Sequence, residues 1–294
     1  MCGDSCEVTG GLATFGEIQV RVLRELDEAV LHWARNNQAI EMAFPPVISV
    51  SILDRMDYFR NFPHLGFAVA SLTATVAGEL AQRGRLGNEV LPSSATADAE
   101  FMLPSAACYP IYAHFRDKTL AATTCVTTAQ NCFRNETHYE GLARLRAFRM
   151  REIVALGTRD ALSAFLARHK AWVRHFAQGA DLPLSIQVAS DPFFQADGAR
   201  TRMQQLFPVK EEFVFDGRVA VSSVNSHRNF FAERWNIRTD DSQYAYTGCV
   251  AFGLERWVHA LQTRYEGDLS RGLKAIQAGR AHAAKQFEAS QGSA

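Results

Sequence analysis

The sequence lacks an apolar run of the roughly 20 residues that a bilayer span requires, and its opening "MCGDSCEVTGG" has no basic segment leading into an apolar one. No membrane partner and no secretory signal are expected. It also lacks a basic stripe, because 31 Lys and Arg balance 31 Asp and Glu. Proteins that grip long nucleic acids take most of their affinity from phosphate contacts and show such a stripe, so a large RNA surface is not expected. The six cysteines, Cys2, Cys6, Cys108, Cys125, Cys132 and Cys249, contain no C-x-x-C pair. They are scattered through a chain too large to need disulfide staples, and the expectation is a cytoplasmic protein with reduced thiols. There is no H-x-x-x-H, no Gly-x-Ser-x-Gly elbow, no P-loop, no internal repeat and no long low-complexity tract.

What is present is an ordinary globular composition, 47% hydrophobic and 21% charged, over a length that suits one large domain. "EIQVRVLRELDEAVLHWARNN" and "TRDALSAFLARHKAWVRHFAQG" repeat apolar residues three and four apart and read as helices, the second ended by Gly179. Pro45 and Pro46 interrupt helix and favour an extended approach to "VISVSILDRMDYF". "LPSSATADAEFMLPSAACYP" reads as loop and short strand pieces between prolines. "LSIQVASDPFF", "EEFVFDGRVAVSSVN" and "AYTGCVAFG" read as strands, the middle one folding back at Asp216-Gly217. "LERWVHALQTRY" follows as a helix. Antiparallel strands flanked by helices predict an α+β fold. Residues 1–14 are expected to form a flexible leader, 15–280 the main folded domain, and 281–294 a frayed tail.

The segment "CFRNETHYEGLARLRAFRMRE" carries charges at alternating positions. Arg134 and Glu136 are two apart, as are Arg144, Arg146, Phe148, Met150 and Glu152. Residues two apart share one face of a strand. Read as strand, loop, strand, the segment sets arginines, a phenylalanine and a glutamate together, a pattern suited to an anion beside a flat ring. Taken singly these residues have ordinary roles: an Arg–Glu surface pair worth little, a core phenylalanine.

The ordered set resembles the class II aminoacyl-tRNA synthetases. "CFRNE", a loop and "RLRAFRMRE" resemble their motif 2; "GCVAFGLERW" resembles motif 3; "AFPPVISVSILDRMDYFRNFP" resembles motif 1, whose proline lies at a dimer interface. "LPSAACYP", "VASDPFF", "SSVNSH" and "TGCVAFGLER" are similar to a subgroup, the amino acid:[carrier protein] ligases, related to the catalytic core of the atypical zinc-dependent seryl-tRNA synthetases and lacking a tRNA-binding domain. The resemblance implies a class II synthetase-like antiparallel sheet, a homodimer through Pro45–Pro46, adenylation of a small amino acid by ATP, and transfer to the phosphopantetheine thiol of an acyl carrier protein, with no tRNA.

By the same resemblance Arg134 contacts the α-phosphate and the attacking carboxylate, Glu136 accepts from the adenine amino group and Phe148 stacks under adenine. Arg144 and Arg256 hold the outer phosphates and the ring's other face. Glu212, or alternatively Glu211, holds magnesium, and Asn225 orients phosphate or substrate. Zinc is implied on Cys108, Glu152 and Cys249, leaving a fourth position for the amine of the amino acid. Cys132 and Cys125 are competing ligands; Cys2 and Cys6 receive no role. His227 is near enough to touch substrate. Two other functions stay open: a free-standing aminoacyl-tRNA synthetase paralogue, and a catalytically silent synthetase-like regulator.

Overall fold

Alternation of side chains across a pleat accounts for the two longest strands, "TCVTTAQNCF" and "AFRMREIVALG", which pair antiparallel from Thr124↔Leu156 to Phe133↔Ala147. The computed structural model describes residues 6–85, 90–189 and 209–291. In chain order the elements begin with β1 (Glu7–Thr9), β2 (Leu12–Thr14), α1 (Glu17–Asn36), β3 (Ile40–Glu41), β4 (Ile48–Ser49), α2 (Val50–Arg55), α3 (Tyr58–Asn61), β5 (Phe67–Val69) and α4 (Ala74–Arg83). Next come β6 (Phe101–Leu103), α5 (Tyr109–His114), β7 (Thr119–Leu120), β8 (Thr124–Phe133), β9 (Ala147–Gly157), α6 (Arg159–Gly179) and β10 (Leu184–Val188). The chain continues through β11 (Lys210–Phe215), β12 (Val219–Arg228), α7 (Phe230–Trp235), β13 (Arg238–Thr239), β14 (Tyr246–Gly253), α8 (Leu254–Arg264) and α9 (Leu269–Gln291).

A seven-stranded sheet in the order β10-β11-β12-β14-β9-β8-β3 organises the fold, antiparallel except where β3 runs parallel to β8. Its class is α+β, as the sequence predicts. The expected hairpin is present: Asp216 and Gly217 have φ of 50° and 68° between β11 and β12, positive angles that glycine and aspartate tolerate best. "VASDPFF" leaves the described residues after Ala189.

One face of the sheet is the main core. Ile153, Ala155, Val250, Phe252 and Phe213 meet Val22, Leu26, Val30 and Trp33 of α1, Phe165, Trp172 and Phe176 of α6, Trp257 of α8 and Ile276 of α9. The spacing of the α1 residues is the three-four repeat that puts one helical stripe inward. On the other face, here called the front, Val126, Val154 and Leu156 pack with Leu53 of α2, Ile111 and Tyr112 of α5, and Trp235 of α7.

Two segments differ from the sequence reading. Within the expected leader, β1 and β2 pair as a hairpin whose Gly10 and Gly11 carbonyls accept from Arg146 side chain and backbone; Gly11, at φ 78°, leaves no room for a side chain beside the Tyr139 ring. The expected frayed tail belongs to α9, which continues to Gln291 and packs on α6 and α1. Its apolar stripe was hidden by small residues: Gly179 and Gly279 let the two helices touch backbone to backbone. A Cβ on Gly279 would lie 2.7 Å from the Phe176 carbonyl oxygen, and one on Gly179 2.9 Å from that of Ala278. Among the described residues no helix is long and apolar enough to cross a membrane.

His169 of α6 is only 2% exposed, with Trp33 edge-on to its ring. Its Nδ1–H donates to the Phe165 carbonyl at 2.8 Å. Burial pushes its pKa from 6.5 down to about 4, with Arg168 adding to the effect. A base whose folded pKa is depressed stabilises the fold above its unfolded value and loses that stability as pH falls toward the folded value. Stability should therefore drop between pH 6.5 and 4, by roughly 3 kcal/mol from this residue. Urea unfolding across that range should show a steeper loss in the wild type than in His169→Asn; parallel curves would rule His169 out as the source.

Candidate active site

The front face of β9 runs from Phe148 through Met150 and Glu152 to Val154, each two residues apart. The odd-numbered residues turn the other way. Arg149 donates to Glu255 at the start of α8 through both its backbone N–H (2.7 Å) and its Nε (3.1 Å). Arg151, 3% exposed, forks onto Asp27 of α1, with one contact at 2.9 Å, and reaches Glu41 at 3.3 Å. The alternating charges are thus sorted: arginines to the helices behind, the aromatic ring and Glu152 to the front. The strand begins only at Ala147, so Arg144 and Arg146 precede it and do not share its face.

Phe148 and Met150 line a cleft with Arg134, Glu212, Ser223 and Arg256. Arg134 follows β8, its Nε donating to the Ser105 carbonyl at 3.2 Å and its guanidinium 5.1 Å from the Phe148 ring centre. Arg256 donates to the carbonyls of Ala143 and Ala220, both at 3.0 Å. Burial first, then the charges of Arg134 and Arg144, lower its pKa to about 10, while Glu136 and Glu212 act to raise it. Five charged side chains named from the sequence therefore converge. Arg144 and Glu136 pair with each other at 2.9 Å. The neighbours Glu211 and Glu212 separate across the strand: Glu211 leaves for Lys170 of α6 at 2.6 Å, and Glu212 faces the cleft with Lys210 at 3.2 Å.

Farther along the same face, Cys108, Glu152 and Cys249 gather, all buried, with their ligand-type atoms within 4.8 Å of one another. Pro110 in the first turn of α5 fixes the chain there, and Cys108 stands at the N-cap position without a side-chain capping bond, leaving its thiol to the cluster. Glu152 Oε1 accepts from the backbone N–H of Ala107 (2.9 Å) and Cys108 (3.3 Å). Cys249 sits opposite Val154 of β9 and Asn225 of β12. The Cys108 thiol is held well above its usual pKa by its hydrogen bond to Cys249, then by burial and the Glu152 charge. That same bond pulls Cys249 down, but burial and Glu152 outweigh it and its pKa is also raised. Two crowded thiols beside a buried carboxylate are a donor set suited to a soft divalent cation.

Some residues do not gather as the sequence implied. Asn225 points its amide at Cys249 Sγ, 3.3 Å away, and is not among the residues lining the cleft. Cys132, buried on β8, donates to the Gln130 carbonyl at 3.9 Å, and Cys125 packs into the main core; neither belongs to the triad. Cys2 lies outside the described residues. The sequence reading passed over Lys210, Glu255 and Tyr112. The alternation of Lys210 with Glu212 marks the first, and the one-turn spacing from Cys108 to Tyr112 marks the last. Glu255 carried no signal beyond its place beside Arg256.

No protein-family model matches the chain. It is 33% identical over 240 residues to amino acid–[acyl-carrier-protein] ligase 1 of Bradyrhizobium diazoefficiens, across 78% of this chain and 72% of that protein. Ligase 2 of the same organism is 32% identical over 265 residues, across 86% and 77%. Among solved structures, M. kandleri seryl-tRNA synthetase, crystallised with A. aeolicus tRNASec, aligns with a TM-score of 0.75 at 20% identity over 87% of this chain. The chain spans about half of that synthetase, 54%, and the likeness shows the class II fold alone. Sequence identity across most of both chains places the protein in the amino acid–[acyl-carrier-protein] ligase family.

Proposed function

We propose that the protein uses ATP to activate a small amino acid and passes the aminoacyl group to the phosphopantetheine thiol of an acyl carrier protein, without tRNA. The observation that carries this reading is the shared front face, where a cationic cleft floored by Phe148 adjoins the Cys108–Glu152–Cys249 triad. Family membership, and a balanced charge with no basic stripe for RNA, support the choice of acceptor.

In the first step a carboxylate oxygen forms a bond to the α-phosphorus and the bond to pyrophosphate breaks. Two anions must meet, so positive charge fixed in advance lowers the barrier more than flexible charge would. Arg134 meets the α-phosphate and the carboxylate; Arg256 and Arg144 take the outer phosphates; Phe148 carries the adenine, read by Glu136. Arg134 leaves the Phe148 ring when adenine arrives. Glu212 is the carboxylate for magnesium, a hard cation that prefers oxygen. In the second step the carrier thiolate attacks the acyl carbon and AMP departs.

Cys108, Glu152 and Cys249 would hold zinc, which would supply an open coordination position for the amine of the amino acid. The donor set fits: two thiols, one carboxylate already steered by two backbone N–H groups, and burial that excludes competing water. The protein works in the cytoplasm as a homodimer through the Pro45–Pro46 segment, a reading supported by free thiols at the five described cysteines and by Ile40 of the edge strand β3, an apolar residue shortly before that segment that is 59% exposed.

Arg134→Ala should lower amino acid-dependent pyrophosphate exchange by about 10²–10³-fold with the melting temperature preserved; near wild-type exchange would remove Arg134 from the phosphates. A screen of amino acids with phosphopantetheinylated carriers and with tRNA should label carrier only. Labelled tRNA with unlabelled carrier would favour the free-standing synthetase, and no exchange with any amino acid would favour a silent binder. Purified protein should contain one zinc per chain, lost with activity in Cys249→Ser; full activity without zinc would show the triad to be ordinary core.

A further inference from the structure

Cys249 receives more than its two partners in the triad. Asn225 Nδ2 donates to its Sγ at 3.3 Å, and the His227 ring nitrogen Nε2 lies 3.7 Å from the same sulfur. Both residues stand on β12, directly beside the strand that carries Cys249. The register between β12 and β14 shifts between Ser226 and Arg228, so His227 is the extra residue of a bulge, and Arg228 absorbs the turn with φ of 52°. Bulges of this kind re-aim a side chain beside a site.

The imidazole is held from its other side. Its Nδ1 lies 3.1 Å from Tyr112 Oη and 3.5 Å from Thr247 Oγ1. Tyr112 is fully buried and its ring stacks on Phe231 at 4.0 Å and 5°. A phenol O–H donating to Nδ1 leaves the proton on Nε2, aimed at sulfur. Tyr112 sits one helical turn after Cys108 on α5. The contacts therefore close a circuit from Cys108 through Tyr112 and His227 to Cys249. Asn225 completes it by taking Ser223 Oγ as a second acceptor at 3.0 Å, which orients the amide.

We infer that Asn225 and His227 are positioning residues for the Cys249 sulfur, two N–H donors that fix its direction and spread its negative charge when it binds metal, and that Asn225 does not serve the ATP phosphates. The inference rests on the zinc reading above. Partners that hydrogen-bond a metal ligand orient it and tune its donor strength, and their loss typically weakens metal binding by about 10–100-fold.

The test uses zinc and Co(II) as probes. Asn225→Ala and His227→Ala should each transfer zinc to a competing chelator about 10–100-fold more readily. The sulfur-to-cobalt charge-transfer band of the Co(II) protein should shift in both variants, while KM for ATP stays at the wild-type value. His227→Gln keeps an N–H donor and should retain zinc better than His227→Ala. Zinc bound stoichiometrically to wild type, with unchanged retention and spectrum in both alanine variants, would overturn this inference and leave the zinc reading standing. A raised KM for ATP in Asn225→Ala with normal zinc would return Asn225 to the phosphates. Wild-type protein that takes up neither zinc nor Co(II) would remove both readings, and equal loss in His227→Gln and His227→Ala would remove the donor argument.

Discussion

The site depends on one buried carboxylate. Glu152 is 1% exposed, in the middle of a seven-stranded sheet, where an unpartnered charge would be very costly. It is tolerated because two backbone N–H groups from Ala107 and Cys108 are delivered to it. That requirement pulls the loop before α5 down onto β9 and with it Cys108, the Ser105 carbonyl that holds Arg134, and the start of α5. The next residue back, Arg151, applies the same constraint in reverse: its buried cation brings Asp27 of α1 against the opposite face. Consecutive residues of one strand thereby lock the layer in front and the layer behind into register.

This arrangement explains why the cleft and the triad adjoin. Along the front of β9 the order Phe148, Met150, Glu152, Val154 is also an order of environments: ring platform, cleft floor, donor cluster, apolar core. A strand rises about 3.3 Å per residue, so Phe148 and Glu152 are separated by roughly 13 Å. Under the proposed function that distance would separate adenine on Phe148 from the amine of the amino acid at Glu152.

Much of this was legible in the sequence, for identifiable reasons. A period-two pattern places Phe148 and Glu152 on one face without any knowledge of the fold, and the positive-φ pair Asp216-Gly217 announces its hairpin. Three separated segments had to meet for Cys108, Glu152 and Cys249 to form a cluster, and the ordered motifs carried that information where spacing alone could not. Other features left no local trace. Parity cannot say which of two adjacent glutamates faces inward; Lys170 on a distant helix decides it for Glu211. Asn225 reads as a turn or phosphate residue until the neighbouring strand sets Cys249 beside it. The hairpin at residues 7–14 and the full length of α9 were missed because their burial comes from partners far away in sequence rather than from their own apolar content.

The contact between Gly179 and Gly279 has an energetic consequence. Each glycine owes its size to the backbone of the other helix, so a methyl group at either position must push α6 and α9 apart. Once the helices have separated, a second methyl meets little further resistance. The two residues, remote in the chain, therefore form a single thermodynamic unit: the free-energy cost of changing both falls short of the sum for changing each alone, and the coupling measures how rigidly the two helices are clamped.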